Sequence, residues 1–130
     1  MNKSNILSAF NNHVIELFKD VNSIIQHNKD LAAAETTLIA IKKANPKLLI
    51  GVWKNYINDK YKDDIVAGNI SFFLDKDYKS DFADVSQSSL ILKKIDLLRE
   101  PIRGLGEENL NKTVCYIQNL TKLCDLYHSN

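Results

Sequence analysis

The chain has 130 residues, 45% hydrophobic and 25% charged, with 17 Lys and Arg against 16 Asp and Glu for a formal net charge of +1. That length can bury a core without disulfides or metals, and the balanced charge removes any global pull toward nucleic acid or an anionic membrane. No apolar run approaches the ~18 residues of a membrane span, the amphipathic N-terminal stretch does not read as a secretory signal, and two cysteines, Cys115 and Cys124, fit a reducing compartment and form no disulfide framework.

The first element runs from about Ser4 to His27. Ile6, Leu7, Phe10, Val14, Leu17, Phe18, Val21, Ile24 and Ile25 fall in one arc of roughly 120°, the stripe of a helix packed on a core. Ser4 is the expected N-cap, and Phe10 and Leu17 are expected core residues. Asn28-Lys29-Asp30 reads as a turn with Asp30 as the next cap. Leu31 to Ala44 follows, rich in helix-forming Ala, Leu and Lys. Asn45-Pro46 ends it and opens a third helix to about Lys60, with Pro46 in the first turn. Tyr61 to Asp84 is the least legible stretch: Gly68 is a helix stop, Asn69 could cap a short helix through Leu74, and Asp75 to Asp81 is polar and turn-like. A fifth helix starts at Ser86 or Gln87, with Leu90, Ile91, Ile95 and Leu98 inward, and Pro101 interrupts it. The last helix runs from about Glu107 to Tyr127, with apolar residues on more than half its wheel. No two-residue alternation indicates a strand. The expected fold is therefore all-α, a compact bundle of five to seven helices in a single domain, 1–130.

No residue set carries recognisable catalytic, cofactor or metal chemistry. Cys115 and Cys124 are nine positions apart, about 180° around a helix, so they can neither pair nor share a metal while that helix is intact; both read as buried small residues. His13 and Glu16 have a spacing that metal ligands use, but the companion pairs of a di-metal bundle are missing; His13, His27 and His128 read as surface or boundary histidines. Asp75, Asp77 and Asp81 begin like a calcium loop, but Ser80 and Ser86 stand where Gly and Glu are needed. Gly104-Leu105-Gly106 lacks the strand and third glycine of a dinucleotide fingerprint and reads as a turn between helices. Lysines 42, 43, 47, 54, 60 and 62 near Trp53 and Tyr56 suit single-stranded nucleic acid if those rings are exposed, and only solubility if they are core.

The third helix carries the broadest apolar arc, about 200° from Leu48 round to Ile50, where a surface helix needs about 100°. Either the bundle encloses it or part of the arc meets a partner. Because the last helix is also apolar over more than half its circumference, both are hard to centre in so small a bundle. The expectation is that Ile50, Trp53 and Ile57 lie near the surface and form a partner or self-contact, a homodimer being the commonest form.

Ala44-Asn45-Pro46-Lys47-Leu48-Leu49-Ile50, Val52-Trp53-Lys54-Asn55-Tyr56-Ile57, Gly68-Asn69-Ile70-Ser71-Phe72-Phe73-Leu74-Asp75-Lys76-Asp77-Tyr78 and Tyr116-Ile117-Gln118-Asn119-Leu120 together resemble a group of short proteins from nucleocytoplasmic large DNA viruses. The resemblance covers most of the chain and implies a giant-virus origin, such as a marseillevirus, with an infection cycle in host cytoplasm. It brings no active-site residue with it. The functional expectation is a non-enzymatic protein-interaction module of a large DNA virus, without cofactor, metal or membrane partner, acting in the virus factory or virion. The alternative is a nucleic-acid-binding accessory factor for viral transcription or replication.

Overall fold

The computed structural model describes residues 2–25, 28–69, 71 and 87–129. It is an all-α bundle: α1 (Lys3–Ile24), α2 (Lys29–Ala44), α3 (Leu48–Trp53), a π-helical turn (Lys54–Asn58), α4 (Asp59–Val66), α5 (Gln87–Asp96), α6 (Arg99–Arg103) and α7 (Glu107–Ser129). Among the described residues no helix is long and apolar enough to cross a membrane. The expected turn at Asp75 to Asp81 lies outside the described residues, as do His27 and all of the expected helix through Leu74 but Ser71, whose N–H donates to Oδ1 of the expected cap Asn69 at 3.0 Å.

Helix α1 packs on α2 and α7 through the stripe that its periodicity marks. Ile6, Phe10, Val14, Leu17, Phe18 and Val21 are buried in the core, whereas Ile24, expected in the same stripe, is 38% exposed at the end of the helix. Its cap is Asn2, not Ser4: the Asn2 carboxamide accepts from the Asn5 N–H at 2.8 Å. The second cap is Asn28, not Asp30. Its Oδ1 accepts from the N–H groups of Asp30 and Leu31 at 2.8 and 3.3 Å. Asp30 instead sits in the first turn of α2, with Lys42 and Lys43 in the last, each sign facing the favourable end of the helix dipole.

The third helix is where the bundle departs most from a uniform wheel. Backbone dihedrals stay right-handed helical through Trp53, Lys54, Asn58 and Asp59, so α3, the π-turn and α4 form one continuous rod. At a uniform 100° per residue Ile65 would fall about 260° from Leu48, outside the apolar arc. A π-turn takes up one extra residue and sets the following face back by about 100°. The Asp59 N–H accordingly reaches the Lys54 carbonyl, five residues back. Ile57, Asn58 and Ile65 thereby join Leu49, Ile50, Val52 and Trp53 on the buried side.

Enclosure, and not a partner, accounts for the broad arc. Helix α3 touches α1, α2, α5 and α7, and Ile50, Trp53 and Ile57 are all buried. The expectation that these three lie near the surface is corrected: α3 is the central element, and the surrounding helices cover it. The rod ends in a Schellman arrangement. Gly68 adopts φ +83°, its N–H donates to the Ile65 carbonyl at 2.9 Å, and the Asn69 N–H donates to Asp64 at 2.8 Å.

In α5 the buried residues are Ile91, Leu92 and Ile95, with Leu98 and Ile102 following. Leu90, expected inward, is 40% exposed. The helix breaks at Leu97-Leu98, ahead of Pro101. Pro101 does not interrupt a helix but sits in the first turn of α6, where its missing N–H costs nothing. Gly104-Leu105-Gly106 is the α6–α7 turn, as its composition suggests.

Candidate functional site

The π-turn shapes a polar groove between the α3–α4 rod and the C-terminal end of α7. Asn58 is its central residue. Turned inward by the extra residue, Asn58 is only 6% exposed, and its Nδ2 donates to Asp125 Oδ1 at 2.7 Å. The Lys62 ammonium, one turn further along α4, reaches the other oxygen of the same carboxylate at 2.7 Å. Lys54 straddles both oxygens of Asp59 at 3.1 and 3.2 Å. Gln118, two turns before Asp125 on α7, donates to the Ile65 carbonyl at 3.1 Å and so pins the end of the rod to α7. The cavity so formed has a volume of about 650 Å³, and Lys60, Tyr61, Asp63, Asp64, His128 and Ser129 complete its wall.

The electrostatics follow from these contacts. Burial pushes the Asp125 carboxyl up, but the hydrogen bonds from Lys62 and Asn58, with the charges of Lys62 and His128, outweigh it and hold the group below the usual carboxylate range. The same hydrogen bond raises Lys62. Cys124 lies beneath the groove, fully buried, with its Sγ 3.8 Å from the Ile50 carbonyl. Burial first, and then the charge of Asp125, push its thiol up to about 12. His128 Nδ1 is 2.9 Å from the Cys124 carbonyl and 3.6 Å from the thiol sulfur. The backbone carbonyl, one helical turn back, is the nearer acceptor for a proton on Nδ1. A thiol held protonated to that pH is not a nucleophile near neutrality. The groove offers fixed donors, acceptors and charges.

A second cluster joins α1 to α7. The Tyr116 hydroxyl donates to Asp20, the His13 ring lies 4.6 Å from the Tyr116 ring at a 34° tilt, and His13 Nδ1 is 3.7 Å from Glu16. Burial, then the hydrogen bond and charge of Asp20, push the Tyr116 phenol up to about 12. Cavities of about 230 and 420 Å³ flank this phenol and share Asp20, Lys112 and Tyr116.

The residues singled out from the sequence are dispersed. Trp53 packs edge-on against Phe10, with centroids 6.0 Å apart, and its Nε1 donates to Thr121 at 3.4 Å. Ile50 and Ile57 are core. Cys115 is exposed, against the expectation of burial, while Cys124 is buried as expected. His13 stands at the α1–α7 boundary and His128 at the groove. Among the described residues no group of three or more His, Cys, Asp or Glu could hold a metal ion; Asp75, Asp77 and Asp81 lie outside them. Asn58 and Asp125 went unremarked in the sequence, and Lys62 was noted only among the lysines that suit nucleic acid. The available signal was the failure of Ile65 to stay in phase with Val52 and Trp53, which marks an inserted residue between them. Comparison with family models, with characterised proteins and with solved structures finds no match.

Proposed function

We propose that the protein is a non-enzymatic protein-interaction module, and that it recognises a partner polypeptide through the groove at the π-turn. The observation that carries this reading is the coincidence of a cavity of about 650 Å³ with the one helical irregularity of the rod. π-turns persist against regular packing where a site needs the altered side-chain direction. Here the turn places Asn58 against Asp125, and both stand on packed helices, which fix a binding geometry better than loops do. Lys62 and Asp125 are paired with each other and the Cys124 thiol beneath them is held protonated, which supports recognition over bond-making. The resemblance to short proteins of nucleocytoplasmic large DNA viruses favours a role in the virus factory or virion.

The nucleic-acid alternative loses Trp53 as a stacking platform, since that ring is buried; Tyr56 is half-buried with the Lys60 ammonium 5.7 Å from its centroid, and Tyr61 is the aromatic residue left on the groove wall. A photo-crosslinking residue placed at Lys60, on the groove, and at Ala33, exposed on α2, tests the choice in infected cells. Polypeptide adducts from position 60 and not from position 33 are expected. Nucleic-acid adducts from position 60 would establish the alternative, and equal labelling from both positions, or none, would remove the groove as a recognition site.

A further inference from the structure

Taking the groove as the recognition site, the internal pairings decide which chemistry it lacks. Four carboxylates, Asp59, Asp63, Asp64 and Asp125, line it with three ammoniums, Lys54, Lys60 and Lys62. Lys54 is engaged by Asp59 and Lys62 by Asp125, while Asp63 and Asp64 stand exposed on the wall. His128 and Ser129 bring the C-terminal end of α7, the negative end of its dipole, to the same cavity. Counted with His128 neutral, the wall carries four carboxylates against three ammoniums, and that excess of one negative charge favours a cation.

Asn58 adds an independent observation. Its Nδ2 is committed to Asp125, and its Oδ1, buried on a residue 6% exposed, has no hydrogen-bond partner. A buried acceptor without a donor carries a desolvation cost; Asn58 Oδ1 is closed to solvent in the free protein, so an arriving N–H reaches it only when a covering side chain moves aside. A carboxylate has no donor to give, and a phosphate, though its P–OH can donate, brings further negative charge against the carboxylates of the wall. A metal ion would need a ligand cluster that the described residues do not form. A guanidinium presents five N–H donors in a plane and sheds water more readily than an ammonium, so it can serve an amide oxygen and a carboxylate together.

We propose that the groove receives the guanidinium of an arginine on the partner polypeptide, donating to Asn58 Oδ1 and to the Asp125 carboxylate. In the free protein Lys62, whose side chain is 51% exposed, occupies that carboxylate, and it is the flexible group that gives way. Lys62 is an internal competitor for the site.

The test is a titration of isotope-labelled protein with three capped tripeptides, Gly-Arg-Gly, its citrulline analogue and Gly-Lys-Gly, and with inorganic phosphate, followed by amide resonances. The Arg peptide should shift the Asn58 side-chain amide and the backbone of 58–64 and 125–129 saturably. Citrulline, equal in shape and neutral, and phosphate should not, and Lys should bind more weakly than Arg. Asn58→Leu and Asp125→Asn should each weaken the Arg peptide about tenfold or more, as loss of a charge-assisted hydrogen bond does. Lys62→Ala should tighten it. If the core resonances of Asn58→Leu show misfolding, Lys62→Ala, altered only at an exposed side chain, decides. Equal binding of Arg and citrulline, binding of phosphate, or weaker binding in Lys62→Ala would overturn the proposal. Should the crosslinks at Lys60 appear while the Arg peptide leaves the groove unmoved, the recognition site stands and the arginine occupant falls.

Discussion

Alkaline titration isolates the buried thiol beneath the groove. Cys124 is enclosed, and burial with the neighbouring Asp125 charge raises it to about 12; in the unfolded chain a thiol titrates near ~8.5. The folded state therefore binds the proton more tightly. Its contribution is complete below the unfolded value and is lost as pH climbs from there toward the folded one. Each pH unit in that window removes about 1.4 kcal/mol, so moving from about pH 8 to about pH 10.5 should cost the native state about 2–3 kcal/mol through this group alone. Urea unfolding of wild type and Cys124→Ala at both pH values measures it. Tyr116 and the lysines titrate in both proteins and cancel in the comparison. At about pH 8 the Ala variant should be the less stable, by about 1 kcal/mol, for the space it leaves under Ile50. At the higher pH the gap should close or reverse. A gap that does not move with pH would mean that the native thiol ionises freely, and the enclosure of Cys124 by α3 and α7 would be refuted.

The remaining expectations follow from burial and capping. Phe10→Ala removes a fully buried ring packed on Trp53 and should cost about 2–5 kcal/mol in chemical denaturation; a loss under about 1 kcal/mol would show the α1 stripe to be exposed. Ile57→Lys places an unpaired charge in the core and should unfold the chain, whereas Leu90→Lys, at a 40% exposed site, should change stability by less than about 1 kcal/mol. A folded Ile57→Lys protein by circular dichroism would contradict the central placement of α3. Asn28→Ala deletes the α2 cap and should lower stability by about 1 kcal/mol. A thiol-reactive dye should label one cysteine, Cys115, in the native protein and reach Cys124 only on denaturation.

Much of the fold was legible without coordinates because helix burial is written in a repeating phase. The α1 stripe, the Asn45-Pro46 junction, the Gly68 stop and the Gly104-Leu105-Gly106 turn all follow from local rules. Phase also explains the errors. Choosing Ser4 over Asn2 and Asp30 over Asn28 reflects several good caps lying close together, with the choice made by where the helix first touches its neighbours. Leu90 and Leu92 lie 200° apart on a helical wheel, and the sequence alone does not tell which of them faces α3. Pro101 has the same local chemistry whether it ends one helix or opens the next.

The candidate site was not legible, and the reason is specific. Its three central residues, Asn58, Lys62 and Asp125, are ordinary polar residues, and Asp125 is more than sixty positions from the other two. They meet only because α7 lies along the α3–α4 rod and because the π-turn rotates that rod. The width of the apolar arc on the third helix was evident from composition and order. Whether that arc met a partner or the bundle itself depended on how many helices surround it. By itself the sequence determined that the chain forms amphipathic helices and roughly where each begins and ends, since those are consequences of period and backbone chemistry within a few residues. Only the tertiary structure decided that α3 is central and that a groove opens at its π-turn, because both depend on packing between segments whose separation along the chain carries no local signal.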